Sequence, residues 1–154
     1  MAEKDHRRGA WPTPPATLPN VYGASAGANS LAGKSNAQVA AYFQTLFALG
    51  GTQAQAQVLA VALNVYATTS ALGGTAGAAY GFTVSATGLG ARSYSVGQDG
   101  AAFGVANNTV CDVYQLLVAV NTRAVNGVLY GGKATLQAEC ADLLSALNSA
   151  GSIG

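Results

Sequence analysis

The sequence predicts an α-dominant α+β domain: two antiparallel helical pairs, four helices in all, with an inserted β-hairpin. Three observations predict it. Four segments repeat apolar residues at helical spacing between polar starts and stops rich in glycine. One segment between the second and third of these alternates apolar with small polar residues. And the chain has 154 residues, 50% of them hydrophobic and only 8% charged, enough for one core that buries about two thirds of the unfolded surface.

Residues 1–19 hold all 4 prolines (Pro12, Pro14, Pro15, Pro19) among mixed charges, with little to bury. They read as an extended, Pro-rich arm ahead of a single globular domain over 20–154. The Gly/Ala/Ser/Asn stretch at 22–33 reads as loop. Ser35 with Gln38 then forms a capping box, followed by Val39, Tyr42, Phe43, Leu46 and Phe47 at helical spacing and a stop at Gly50-Gly51. Thr52 with Gln55 repeats the box, leading through Val58, Leu59, Ala62, Leu63, Val65 and Tyr66 to Gly73-Gly74. So short a turn between two helices predicts that they lie antiparallel.

Tyr80, Phe82, Val84 and Ala86 alternate with small residues, Gly88-Leu89-Gly90 reads as the turn, and Tyr94 and Val96 resume the alternation. An isolated hairpin is marginal in water, so this one should pack on the helices. After a second turn at Gly97-Gln98-Asp99-Gly100, Asn108 or Thr109 caps a third helix carrying Val113, Leu116, Leu117, Val120 and Ala124 and ending at Asn126-Gly127. The fourth runs from about Lys133 with a stripe of Leu136, Cys140, Leu143, Leu144 and Leu147, and stops before Gly151.

The 2 cysteines, Cys111 and Cys140, lack metal or redox spacing. On the predicted helices their faces disagree, and the axial offset is about 10 Å at 1.5 Å per residue, beyond the usual disulfide Cα separation of about 4.4–6.8 Å. Two free thiols are expected: Cys140 in the core, and Cys111 as a helix N-terminal thiol whose pKa the dipole would lower.

Charge narrows the function. Five of the thirteen charged side chains fall within the first eight residues, so the body carries no basic footprint for nucleic acid. No formal charge lies between Lys34 and Arg92, but glutamines and Gly50-Gly51 break that run into pieces shorter than the ~20 residues of a span, and no membrane insertion is expected. No apolar stretch of signal-peptide length follows the N-terminal charges, so the sequence reads as having no signal peptide. His6, the single histidine, sits in the arm, which leaves the body without Ser-His or Cys-His chemistry; no catalytic residue and no cofactor are expected. Glu139 and Asp142 read as a solvated helix flank, and Asp99, with Asn107 and Asn108 nearby in sequence, is a weak calcium candidate.

One motif supplies an alternative. Gly27-Ala28-Asn29-Ser30-Leu31-Ala32-Gly33-Lys34-Ser35 passes a relaxed phosphate-loop pattern over 28–35, in which Gly33, Lys34 and Ser35 would cradle phosphates and hold magnesium. A phosphate loop should follow a buried strand, whereas Val21-Tyr22 is very short, and Gln38 explains Ser35 as a helix cap. The sequon at Asn107-Asn108-Thr109 reads as a cap, and the glycines between 88 and 93 lack the third glycine of a dinucleotide loop.

Several segments look familiar together: Leu18-Pro19-Asn20-Val21-Tyr22-Gly23, Leu31-Ala32-Gly33-Lys34-Ser35-Asn36-Ala37-Gln38-Val39-Ala40, Gln57-Val58-Leu59-Ala60-Val61-Ala62-Leu63-Asn64-Val65-Tyr66-Ala67-Thr68, Tyr80-Gly81-Phe82-Thr83-Val84, Gly100-Ala101-Ala102-Phe103-Gly104-Val105-Ala106-Asn107-Asn108 and Arg123-Ala124-Val125-Asn126-Gly127-Val128-Leu129-Tyr130. Over about residues 18–150 the chain resembles a module found toward the C-terminal end of large bacterial secreted or cell-surface proteins, often beside SdrD B-like repeats. A Gly-Phe-Trp segment usually precedes that module; here the charged arm stands in its place. The resemblance implies an extracellular, non-catalytic setting and transfers no functional residues. The expectation is a structural or partner-binding module of an exported bacterial multidomain protein, meeting a protein partner or a second copy through shape and apolar contact, with Tyr80 and Tyr94 as candidate contacts.

Overall fold

The computed structural model describes residues 18–23, 25–48 and 53–149. The expectations for residues 1–17, the Gly50-Gly51 stop, the Thr52 cap and the stop before Gly151 lie outside them. Leu18 and Pro19, read from sequence as the end of the arm, belong to the body: Leu18 is buried, and Pro19 opens the short helix α1 (Pro19–Tyr22), where its missing N–H costs nothing.

The architecture is helix-dominant, with two small antiparallel two-stranded sheets. The capping box of α2 (Asn36–Ala48) forms in both directions. The Gln38 N–H donates to Ser35 Oγ at 3.2 Å and the Ser35 N–H to Gln38 Oε1 at 2.8 Å. Next comes α3 (Ala54–Thr68), entered through Gln53 in a left-handed conformation (φ 57°). The Gln53 amide donates back to the Phe47 carbonyl at 2.9 Å, filling one of the open acceptors in the last turn of α2. Ala54, Ala56, Val58, Leu59, Val61, Ala62, Val65 and Thr68 of α3 are all buried, so this helix is apolar nearly all round and forms the centre of the core.

Its principal helix partner is α7 (Ala134–Ser149), which contributes Cys140, Ala141, Leu143, Leu144 and Leu147. Asn148 ties the edge of the pair, donating to Gln57 Oε1 at 2.7 Å and accepting from the Asn64 amide at 3.4 Å. Packing of α2 on α3 is the lesser contact, so neighbours in sequence are not the dominant helical pair.

The inserted hairpin is corrected. Residues 76–80 form a 3₁₀ turn, and Tyr80 is 83% exposed. The segment that follows is bonded to the end of α3 instead of to a second strand. The Ser85 N–H donates to the Thr68 carbonyl (2.9 Å), the Ser70 N–H to the Ser85 carbonyl (2.8 Å) and the buried Leu89 N–H to Thr68 Oγ1 (2.9 Å). With the Ser85 N–H and carbonyl both taken there, the alternating stretch pairs with the end of α3 and not with a second strand. The short helix α4 (Ser70–Gly73) lies between these anchor points. Strand β1 (Ser93–Ser95) finds its partner further on, in β2 (Val110–Asp112), with Tyr94 opposite Cys111. Between them, α5 (Gly100–Phe103) is enclosed by a loop in which Asn107 Oδ1 accepts from the Gly100 N–H at 3.1 Å.

The third long helix is α6 (Val113–Thr122), and its cap is Asp112 rather than Asn108 or Thr109. The Gln115 N–H donates to Asp112 Oδ1 at 2.7 Å and the Asp112 N–H to Gln115 Oε1 at 2.8 Å, another reciprocal box. Asn108 sits instead in a turn with φ 65°. The helix ends short of Asn126-Gly127, which shapes a tight hairpin of β3 (Ala124–Val125) and β4 (Val128–Leu129). Both turn residues have positive φ, 52° and 85°, as a two-residue turn matching strand twist requires. Cys111 and Cys140 are both free and buried. Cys111 lies in β2, so the helix N-terminal setting expected for it is also corrected.

Candidate functional site

The hairpin of β3 and β4 is gripped from outside itself. The Gly127 N–H donates to the Asn20 carbonyl of α1 at 2.9 Å. The Gly127 carbonyl accepts from the Asn29 amide and from the Gln55 amide, each at 3.1 Å. The Gln137 amide of α7 donates to the Leu129 carbonyl at 3.0 Å. Asn20 also grips the end of α6, its amide donating to the Asn121 carbonyl at 3.0 Å. Four distant parts of the chain thus fix one short hairpin. Val125 and Val128 face each other across it and project outward, 59% and 47% exposed.

Two cavities flank this hairpin. The smaller, about 210 Å³, is lined by Leu46, Ala54, Val128 and Leu129 and by the amide side chains of Asn29, Gln53, Gln55 and Gln137. Their NH₂ groups are the donors already described, holding backbone carbonyls. The other, about 390 Å³, lies between Arg123, Val125, Tyr130, Gly131, Lys133 and Leu136. Tyr130 is buried with φ 55°, a conformation that bulky residues rarely adopt. Burial foremost, reinforced by the Cys140 thiol beside it, raises its hydroxyl pKa far above the ordinary range. Burial likewise pushes the Cys140 thiol up to about 12, the Tyr130 hydroxyl opposing the rise, so this cysteine stays protonated at neutral pH and is no nucleophile.

The residues singled out from sequence lie apart from one another. Lys34 is half-buried, with its N–H on the Leu31 carbonyl, and Ser35 is engaged with Gln38 as the cap of α2. What precedes this Gly33-Lys34-Ser35 loop is helical turn, α1 and a 3₁₀ turn at Gly27–Asn29, rather than a strand. Asp99 stands just before α5, its carboxyl pKa raised by desolvation and then by Asp142 and Glu139. Among the described residues no group of His, Cys, Asp or Glu is arranged to hold a metal ion. Asn107, the expected companion of Asp99, donates its amide to Gln98 Oε1 and accepts at its oxygen from the Gly100 N–H. Tyr94 packs half-buried against the core, while Tyr80 stands out in solvent, so the two do not share a face of a hairpin.

Sequence reasoning passed over Arg123, Tyr130 and Lys133, and with them the gripping amides. The available signal was Asn126-Gly127 itself, a strong hairpin marker between two valines, flanked by two cations in a body nearly free of charge.

Together these features define a helix-dominant α+β module whose best-held surface element is a valine-bearing hairpin. No family model matches the chain, and comparisons with curated proteins and with solved structures return no match. Among the described residues no helix is long and apolar enough to cross a membrane.

Proposed function

We propose that this chain is a non-catalytic, partner-binding module of an exported bacterial multidomain protein. The observation that carries the reading is the gripped hairpin: a two-residue turn held by Asn20, Asn29, Gln55 and Gln137 presents Val125 and Val128 outward on a rigid base. Apolar side chains fixed in place lose little conformational freedom on association, which favours a contact made through shape over one made through charge. The sparse charge of the body supports the same reading. So does the convergence of two segments behind the family resemblance, residues 18–23 and 123–130, at the bond between Asn20 and Gly127. The setting, at the cell surface or outside the cell, rests on that resemblance.

The test is a Val125→Ser/Val128→Ser double variant, compared with the wild type by sedimentation over a wide concentration range and by thermal melting. Association that the variant loses at an unchanged melting temperature supports the reading, with a second copy as the partner. A wild type that stays monomeric directs the contact to a different protein. If ATP with magnesium raises the melting temperature, and Lys34→Ala removes that rise, the module reading gives way to nucleotide binding.

A further inference from the structure

The described residues include only four cationic side chains, Lys34, Arg92, Arg123 and Lys133, and two of them line the same cavity of about 390 Å³. Arg123 comes from the end of α6 and Lys133 from the start of α7, brought together by the turn-back of the hairpin between them. Neither has a carboxylate partner within ion-pair distance among the described residues. Arg123 is nonetheless held. Its guanidinium donates to the Ala119 carbonyl at 3.1 Å and lies so close over Gly104 that a Cβ there would overlap it.

The rest of the lining is apolar or backbone: Val125, Leu136, the Tyr130 ring and Gly131. Two further features mark the place. Tyr130, Gly131 and Gly132 follow one another with φ of 55°, 59° and 87°; the glycines adopt this freely, but the buried tyrosine is strained, and such strain gathers at ligand-holding positions. The Tyr130 hydroxyl is buried beneath this turn beside the Cys140 thiol. Glu139, one helical turn beyond Leu136, does not line the cavity; one of its carboxylate oxygens is buried, unlike the solvated flank expected of it, and bears electrostatically on Tyr130.

We infer that this cavity is a binding site for a small monocarboxylate with an aromatic or branched aliphatic body. The carboxylate would meet the guanidinium N–H groups of Arg123 that the Ala119 carbonyl leaves open and the ammonium of Lys133, and the body would rest on Val125, Leu136 and the edge of Tyr130. A single negative charge matches a lining that is cationic at one end and apolar over the rest. The volume lies within the range of about 300–1,000 Å³ usual for small-molecule sites. The site shares Val125 with the proposed valine contact, but its cations and the remainder of its lining lie outside that contact and it needs no partner protein.

Benzoate tests it, with benzamide as the neutral isostere, in an amide NMR titration of the full chain. Benzoate should give saturable shifts at Gly131, Lys133 and Leu136, and benzamide none. Lys133→Gln, at an exposed position, should weaken benzoate about tenfold, as loss of one charge-assisted contact does. Gly104→Ala keeps the charge but displaces the guanidinium and should weaken it as well. Absence of saturable shifts with benzoate overturns the inference. So do equal shifts with benzamide, or unchanged benzoate affinity in both variants.

Discussion

The molecule contains two turns built on glycine, one of two residues and one much longer, that end differently. At Asn126-Gly127 the chain reverses on itself, and β3 and β4 pair directly across a two-residue turn. Over residues 81–92 it also turns, with Gly81 and Gly88 at φ 92° and 58°, but its backbone is bonded to the end of α3. The difference lies in the turn residues. Asn and Gly both accept the left-handed conformation that matches strand twist. In Gly88-Leu89-Gly90 the central residue is a leucine that is buried in the core, and its N–H goes to the Thr68 hydroxyl. Where a turn residue is needed in the core, tertiary bonding takes the backbone and the hairpin does not form.

The strongest way to break the second arrangement is Gly88→Ala. A Cβ there would collide with the Thr69 hydroxyl and stand 2.9 Å from the Thr68 carbonyl carbon, at a left-handed φ as well. Both neighbours belong to the end of α3, which has little room to shift. The expected loss is about 3 kcal/mol or more, read as the change in midpoint of urea unfolding at constant slope. A loss under about 1 kcal/mol would mean that the 81–92 segment moves independently of α3.

Thr68→Val is gentler and separates hydrogen bonding from shape. Thr68 Oγ1 donates to the Asn64 carbonyl at 2.7 Å while accepting from Leu89. Valine keeps the volume and leaves a buried N–H unpaired, at a cost of about 2 kcal/mol. Thermal melting should show that loss, whereas Thr68→Ser should restore most of it. A valine variant as stable as the wild type would mean that the bond to Leu89 contributes nothing net, and a serine loss as large as the valine loss would mean that the methyl group's packing counts as much as the bond.

This contrast also explains what could be read from the sequence. The box at Ser35 and Gln38 and the apolar stripe of α7 are legible because each depends on a few neighbouring residues, whereas the unpaired thiols were expected from a helical setting that Cys111, in β2, does not have. Asp112 with Gln115 is just as local, but the polar cluster at 107–109 offers competing caps a few residues earlier. The pairing of Ser93–Ser95 with Val110–Asp112 was not legible, because a three-residue strand carries too little pattern to specify a distant partner. The same holds for the cavity. Arg123 and Lys133 lie ten residues apart, and only the reversal at Asn126-Gly127 makes them neighbours.

Alkaline pH should distinguish the two regions next. Cys140 and Tyr130 lie against the end of the hairpin, both with raised pKa values, while Tyr80 stands in solvent beside the other turn. A thiol whose folded pKa is raised contributes its full stability below the unfolded value, about 8.5, and loses it as pH climbs toward the folded value of about 12. Stability should therefore fall above about pH 8.5, by no more than about 1.4 kcal/mol per pH unit for this one proton. Between about pH 8.5 and 10, before tyrosines ionise in the unfolded chain, Cys140→Ala should flatten the slope. Denaturant midpoints across that window check it; a slope unchanged in the variant would place the titrating group elsewhere.

The smallest effect probes the grip on the hairpin. The Gly127 carbonyl accepts two side-chain amides, from Asn29 and Gln55, and a carbonyl oxygen has two lone pairs. Removing one donor leaves the oxygen still bonded, so Asn29→Ala alone should cost about 0.5 kcal/mol, near the low end for a hydrogen bond. Gln55→Ala alone should behave alike. The double variant leaves the oxygen with neither amide and should cost about 2 kcal/mol, more than the singles together. Amide hydrogen exchange at Val125 and Val128 would show where the loss falls. Faster exchange there in the double variant, with α3 unchanged, means that the two amides hold the hairpin in place; additive single losses would mean that each amide acts through its own surroundings and the shared carbonyl is incidental.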